Sequence, residues 1–400
     1  MTAGLRGKDG RMSEMLNDAN VQAAMATARS PPDLVRYDAA RARHDAKHVR
    51  IKACQTREAN PMRSTRLLLW SALGACVTGA SAPSAARAPA VSYKIVDAIP
   101  MPDARWDLLS ADGNLQKVFI ARSDAITVVD LQSRKATQLA PLQHGHAALA
   151  IPGTGDVLAT NGDANTAVIV DGATGTVRAT ISTGKKPDAA VWDPATRTAW
   201  VMNADDGTIT VIDPVARLSV ATVMVGGSLE LGQADGHGRL YVNVEDRNEV
   251  VVLDTRARKI VRRFALAGCD GPTGLAFAAA SQRIVAACAN GRAIVSTTNG
   301  KQVASLATGT KPDGAVFDDR RGLALIPSGG DGRLYVIRVD GKPAVLHSLK
   351  TAPGARTIAL DAATGRAYLP AADSAPALPG ERYGKQLPGT VRMLVVEPSR

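Results

Sequence analysis

The chain has 400 residues, of which 45% are hydrophobic, 4% aromatic and 21% charged. This composition excludes a wholly disordered protein, which would combine low hydrophobicity with a high net charge. The formal charge of +11 is unevenly placed: residues 1–61 carry +4, residues 62–90 carry +3 and residues 91–400 carry +4. Because most of the excess lies outside residues 91–400, the part expected to fold, the charge says little about a partner.

Residues 1–61 contain one aromatic residue and no sustained strand alternation. They precede a pattern that normally opens a chain, described next. We therefore interpret them as an artefact of start assignment, with translation beginning at Met62. The alternative is a real, mostly disordered extension.

Residues 62–90 have the pattern of a secretory signal peptide. Two arginines precede the apolar run Leu67–Val77, which is 11 residues long, and small residues follow it. No apolar run reaches the roughly 18 residues of a transmembrane helix. The pattern predicts a periplasmic or secreted protein whose mature chain starts between residues 76 and 91. A lipoprotein with its lipid on Cys76 is an alternative.

Short β-rich runs that end in Asp recur after residue 91. The steps between them are 41, 42 and 41 residues, followed by 86 residues, or two steps of 43, to the last. Each run is preceded by two short apolar segments and followed by a fourth, with Gly, Asp and Asn in the turns. Four short strands per repeat predict a β-propeller blade. The aspartates that end the runs, interpreted as turn formers, are Asp130, Asp171, Asp213, Asp254 and Asp340.

The repeats count to seven units. The last unit has only three strands, whereas Tyr93–Asp97 has the pattern of a fourth strand. We therefore predict an all-β, seven-bladed β-propeller over residues 91–400, with its N-terminal strand completing the last blade. That pairing removes two free sheet edges. The Pro-rich insertion 374–389 is predicted to protrude, as a partner-binding flap or a disordered loop.

These repeats resemble the YVTN β-propeller repeat family. The resemblance is carried by Arg239–Asn243 (RLYVN) with Glu249–Asp254 (EVVVLD), and by the turns Gly184–Asp188 and Gly309–Asp313. Cys269–Gly274 (CDGPTG) is similar to the bacterial secreted branch called YncE-like. The resemblance implies a seven-bladed exported protein and no settled activity, since propellers have many unrelated functions.

Cys269 and Cys288 are the only cysteines of the predicted mature chain. Cys269 lies in the turn that leads into the fifth unit, and Cys288 ends the second strand of that unit. Adjacent strands run in opposite directions, so both residues return to one end of the same blade. We predict a disulfide between them, which fits an oxidising compartment. The chain-entropy relation gives such a short loop about 3 kcal/mol of stabilisation.

The motifs of several enzyme classes are missing. The sequence has no CxxCH, HExxH, GxSxG, P-loop or GxGxxG pattern. This argues against a haem-carrying propeller and against an ordinary serine or zinc hydrolase.

One candidate site comes from the turns that lead into the innermost strand of each blade. We align the seven repeats on the residue that ends this innermost strand and consider the position five residues earlier. Across the seven repeats that position holds four carboxylates, one His, one Thr and one Arg. Innermost strands line a propeller channel, so we expect a ring of these residues at one mouth. The ring could hold a divalent cation or a polar ligand, or its Asp residues could only form turns. The seven residues are Asp107, His146, Asp188, Glu230, Thr273, Asp313 and Arg356.

The predicted function is an exported, non-catalytic, monomeric scaffold that binds a small ligand or a protein at this mouth. No cofactor is expected beyond a divalent cation. One alternative is a metal-dependent lactonase-like hydrolase. A second is single-stranded nucleic-acid binding, which a charge of +4 and three Trp in residues 91–400 make unfavourable. His144 and His146 are interpreted as hydrated loop histidines or a metal pair.

Overall fold

The computed structural model describes residues 91–378 and 383–399. The extension 1–61, the signal peptide 62–90 and Cys76 lie outside these residues. Within them, 28 strands form seven four-stranded antiparallel sheets, and the one helical element is a 3-10 turn, Glu245–Arg247. No helix in this part of the chain is long and apolar enough to cross a membrane.

Six sheets are blades of four consecutive strands, ordered from the channel outwards. The first three blades consist of β2 (Trp106–Asp112), β3 (Lys117–Arg122), β4 (Ala125–Asp130), β5 (Lys135–Pro141); β6 (Gly145–Ala150), β7 (Asp156–Asn161), β8 (Thr166–Asp171), β9 (Val177–Ser182); and β10 (Pro187–Asp193), β11 (Thr198–Asn203), β12 (Thr208–Asp213), β13 (Leu218–Met224). The next three consist of β14 (Leu229–Ala234), β15 (Arg239–Val244), β16 (Glu249–Asp254), β17 (Lys259–Ala265); β18 (Pro272–Ala278), β19 (Arg283–Cys288), β20 (Arg292–Thr297), β21 (Gln302–Ala307); and β22 (Val316–Asp318), β23 (Leu323–Ser328), β24 (Arg333–Arg338), β25 (Ala344–Lys350).

The seventh blade joins the two ends of the propeller. Its strands are β26 (Ala359–Asp361), β27 (Arg366–Ala371), β28 (Arg392–Ser399) and, outermost, β1 (Ser92–Pro100). The pairing of β1 with β28 runs from Ser92 opposite Ser399 to Pro100 opposite Arg392. The predicted all-β, seven-bladed fold and its completion by the N-terminal strand are therefore confirmed.

The hydrophobic core lies between the blades. Seven clusters of buried apolar side chains are found, and each one is built from two neighbouring blades. Trp200 of β11, for example, is fully buried in the same cluster as Val251 and Leu253 of β16. Middle strands such as β11 are buried at every position. They are apolar on both faces because both faces meet another sheet, which explains the weak alternation of the repeats.

Cys269 and Cys288 form the predicted disulfide in the fifth blade. Their Cα atoms are 5.5 Å apart, within the range that a disulfide spans. Cys288 ends β19 opposite Pro272 of β18, and Cys269 lies in the turn before β18. The bond therefore fixes the turn through which the chain enters the innermost strand of this blade.

Candidate functional site

A channel of about 570 Å³ lies between the innermost strands and is lined by all seven blades. Its walls are mostly small or apolar, with residues such as Ala148, Val191 and Leu360. The seven candidate residues each lie just before the segment of their blade that lines this channel. We call them the mouth ring.

Asp107, His146 and Asp188 meet in one cluster, from three consecutive blades. The His146 Nδ1 atom lies 2.9 Å from Asp107 Oδ2 and 3.8 Å from Asp188 Oδ2. One ligand atom from each residue lies within 4.8 Å of the other two, a spacing that could hold a metal ion. This is the part of the mouth ring with the clearest capacity to bind a ligand.

Arg356 contacts two ring carboxylates, Asp313 and Asp107, and it approaches Asp107 from the side opposite His146. Its Nε donates to Asp313 Oδ2 over 2.6 Å, and its Nη2 lies 3.5 Å from Asp107 Oδ1. Nη2 also donates to the Trp106 carbonyl over 3.0 Å. Asp107 therefore lies between a guanidinium and an imidazole, and it connects the first, second and seventh blades.

The remaining two ring residues behave differently from each other. The Thr273 hydroxyl is buried and donates to the Pro312 carbonyl over 2.8 Å, so it serves to join two blades. Glu230 faces negative charge, with Asp188 and Asp313 among its electrostatic neighbours. Of the seven predicted positions, six thus share one electrostatic environment, and Thr273 does not contribute a ligand group.

Two of the four ring carboxylates, Asp188 and Glu230, have raised pKa values. Burial raises the pKa of Asp188 to about 7, and the charges of Asp107 and Asp313 add to this effect while His146 opposes it. Burial likewise raises the pKa of Glu230 well above its ordinary value. Burial alone would lower the pKa of His146. The hydrogen bond to Asp107 and the charge of Asp188 together raise it by more, so the net pKa shift is upward. At these three residues the neighbouring negative charges favour the protonated form.

The orientation of His146 is set by close packing. A Cβ atom at position 162 would lie 2.9 Å from Cδ2 and Nε2 of the imidazole, so only glycine leaves room for the ring. Nε2 is buried and has no hydrogen-bond partner among the described residues. Nδ1 is therefore the nitrogen that this fold directs at the carboxylates.

His144 does not join His146 in a metal pair. Its Nδ1 lies 3.1 Å from Asp163 Oδ1, and both side chains are exposed. The two imidazole rings contact each other, with centroids 4.6 Å apart, but their Nδ1 atoms face different carboxylates. The structure therefore places His144 on an exposed loop and His146 in the mouth ring.

Tyr383 contacts the mouth ring but was not predicted from the sequence. It lies in the insertion of the last blade, and its ring centroid is 5.8 Å from Arg356 Cζ and 5.4 Å from Lys311 Nζ. A Cβ atom at position 329 would lie 2.7 Å from the Tyr383 hydroxyl oxygen, so glycine permits this approach. No repeat signal marks Tyr383, because an insertion has no counterpart in other blades.

Comparisons with known proteins give the fold only. No family model matches the sequence, and no curated protein matches it. Among solved structures, it is similar to Kuenenia stuttgartiensis hydrazine synthase, with a TM-score of 0.57 and 16% identity over 66% of this chain and 91% of that one. It is also similar to a chain of a mitotic checkpoint complex, with a TM-score of 0.62 and 14% identity over 77% and 96%. At these identities the likeness shows a β-propeller.

Proposed function

We propose that this protein is an exported, non-catalytic binding scaffold that holds a divalent cation at the mouth ring. The observation that carries the proposal is the cluster of Asp107, His146 and Asp188, whose ligand atoms lie within 4.8 Å of one another. Two carboxylates and one imidazole are a donor set that suits Mn²⁺ or Zn²⁺.

The charge balance supports a cation. The mouth ring contains four carboxylates, and Arg356 is its one permanent positive charge. Burial and the neighbouring carboxylates raise the pKa of Asp188 and of Glu230, which is the effect expected where buried negative charges lack a counter-ion. A divalent cation would displace those protons, as metal binding to protonated ligands generally does.

Three features support export. The Cys269–Cys288 disulfide is typical of an oxidising compartment such as the periplasm or the cell exterior. The signal-peptide pattern of residues 62–90 and the resemblance to the secreted branch of the YVTN family point to the same destination.

A metal-dependent lactonase-like hydrolase is the second candidate, and the same cluster favours it. A cation with three protein ligands keeps coordination positions open for water and a substrate carbonyl. The wall of the channel is largely apolar and would accommodate the carbon skeleton of a lactone. Turnover of a lactone in the presence of the cation separates an enzyme from a scaffold.

The test uses thermal unfolding of the full chain with Mn²⁺ and with Zn²⁺, against EDTA. A cation at a hundredfold excess over its Kd stabilises the folded state by about 2.7 kcal/mol, which is readily measured as a rise in Tm. We expect Asp107→Asn and His146→Gln to lose this rise while remaining folded in EDTA. Lowering the pH from 8 to 6 should weaken binding in the parent, because Asp188 and His146 then hold protons.

Asp163→Asn is the matched control. It removes a carboxylate from the exposed pair with His144, close to the ring but outside it. This variant should respond to the cation as the parent does. The proposed cation site would be refuted if neither cation raised the Tm of the parent. It would also be refuted if the Tm of Asp107→Asn rose with the cation as much as that of the parent.

A further inference from the structure

We propose that the outer edges of the third and fourth blades bind the surface of an anionic lipid bilayer. This rim patch consists of residues 214–225, which include β13, and residues 255–265, which include β17. The two segments together contain six basic residues and no acidic residue. Both strands are outermost in their sheets, so the patch lies on the circumference, away from the mouth ring.

Most of the positive charge is on the fourth blade. Five basic side chains occur within eight residues, and all of them are exposed. One of them, Arg263, pairs with Glu249 of β16, with Nη1 2.7 Å from Oε1. Lys259 and Arg262 project from the edge strand itself, and neither belongs to an ion pair among the described residues. The five are Arg256, Arg258, Lys259, Arg262 and Arg263.

Two of these arginines join the two blades into one surface. Arg258 Nη1 donates to the Val220 carbonyl over 3.0 Å, and Arg263 Nη2 donates to the Val225 carbonyl. Both acceptors belong to the third-blade segment of the patch. The basic edge of β17 and the edge of β13 are therefore held side by side.

Exposed aliphatic side chains lie beside the positive charges. On the third blade the exposed fractions are 74% for Val215, 48% for Leu218 and 68% for Met224, and on β17 Val261 is 44% exposed. Basic groups next to apolar side chains match the interface of an anionic bilayer, where lysine and arginine meet headgroups and aliphatic groups enter the acyl boundary. A nucleic acid would instead favour exposed aromatic side chains for stacking.

Protection of a sheet edge does not account for this charge. Edge strands commonly carry a charged residue or a β-bulge that prevents pairing with another chain. The outermost strands of the other blades contain at most one Lys or Arg each, as in β5 and β9, whereas β17 contains three. β17 also has a β-bulge at Val261, opposite Val252 and Leu253 of β16. Its edge is therefore already protected from pairing, as the edge of β13 is by the bulge in its own pairing with β12.

The experiment measures co-sedimentation of the full chain with phosphatidylcholine vesicles, with and without phosphatidylglycerol. We expect binding only to the vesicles with phosphatidylglycerol, weakened by added salt. Lys259→Glu combined with Arg262→Glu should weaken binding by at least about 25-fold, since each basic residue near the surface contributes about fivefold. Met224→Ser should weaken it by a smaller factor.

Lys135→Glu combined with Lys301→Glu is the control, because it makes the same change in net charge on exposed positions of other blades. It should bind as the parent does. Equal loss in this control would show a general effect of net charge and overturn the proposal. Absence of parent binding to the anionic vesicles would overturn it as well, and retention on immobilised polyglutamate alone would assign the patch to an acidic protein.

Discussion

Asp171 and Asp188 lie on neighbouring blades but have opposite electrostatic environments. Asp171 ends β8, and its Oδ1 accepts the backbone N–H groups of Ala173 and Thr174 over 2.9 and 2.8 Å. These hydrogen bonds, the one from Thr174 first, lower its pKa to about 2. Asp188 is the second residue of β10 and faces other carboxylates, and burial raises its pKa to about 7.

The contrast separates two uses of aspartate in one repeat. A turn aspartate is surrounded by donors that the local backbone supplies, so its charge is compensated within a few residues. The ring aspartates Asp188 and Asp313 receive compensating positive charge from other blades, through His146 and Arg356 respectively. Turn aspartates recur in five of the seven repeats because the same turn recurs there. Ring residues differ from blade to blade, which is what a binding site requires.

The largest expected effect comes from removing the guanidinium of the ring. Arg356→Ala removes the guanidinium that lies beside Asp107 and Asp313 in a largely buried site, and we expect a loss of about 3 kcal/mol in the free energy of unfolding. Arg178→Ala, at the Asp171 turn, should change it little, because an exposed ion pair contributes little. Urea unfolding of both variants provides the comparison.

Mn²⁺ sharpens this test. If Mn²⁺ binds in the mouth ring, its charge should partly replace that of the missing guanidinium. It should then restore part of the stability lost in Arg356→Ala and none of the small loss in Arg178→Ala. Equal losses in the two variants would show that the ring is no more than a set of turns.

Asp188→Asn should alter how stability depends on pH. The pKa of Asp188 is raised in the folded protein, so its contribution is complete below the ordinary value of 3.8 and is lost as the pH rises through about 7. In EDTA, the parent should lose stability between roughly pH 4 and 7, and the variant should lose less. The free energy of unfolding measured by urea titration across this range checks the sign. An unchanged slope would contradict it.

The smallest effect is expected at Asp171, with the opposite sign. Its pKa is lowered in the folded protein, so its contribution is present above 3.8 and is lost as the pH falls towards 2. Asp171→Asn should reduce the free energy of unfolding slightly at neutral pH. Below pH 4, the free energy of unfolding of the variant should depend less steeply on pH than that of the parent. Thermal unfolding between pH 2 and 7 measures this. A loss at neutral pH as large as that of Arg356→Ala would contradict the comparison.

The sequence allowed the repeat and its boundaries to be predicted, because the turn aspartates recur at nearly constant steps. The same regularity located the mouth ring, since each ring residue has one position in the repeat. It also placed Cys269 and Cys288 at one end of a blade. The export and function predictions stay predictions, because they concern residues outside the described chain or ligands that a fold does not specify.

Contacts that cross the symmetry of the repeat were beyond prediction. Tyr383 reaches Arg356 from an insertion that has no equivalent elsewhere. The Thr273 hydroxyl bonds the Pro312 carbonyl of the next blade, although its position alone suggested a ligand group. β22 and β26 each contain only three residues, whereas the innermost strands of the other blades contain six or seven. Such features depend on which loops meet in space.

The pairing of β1 with β28 has a consequence for the order in which the protein folds. Ser92 and Ser399 are partners although 307 residues separate them, while all other strand pairs join segments that are adjacent in the chain. Closing the propeller through the β1–β28 pairing therefore has a large loop-closure entropy cost, whereas the hairpins inside each blade close short loops. We expect six blades to form from local contacts first, with joining of the two ends as the slow final step. Until then, the edge of β28 is exposed to pairing with other chains.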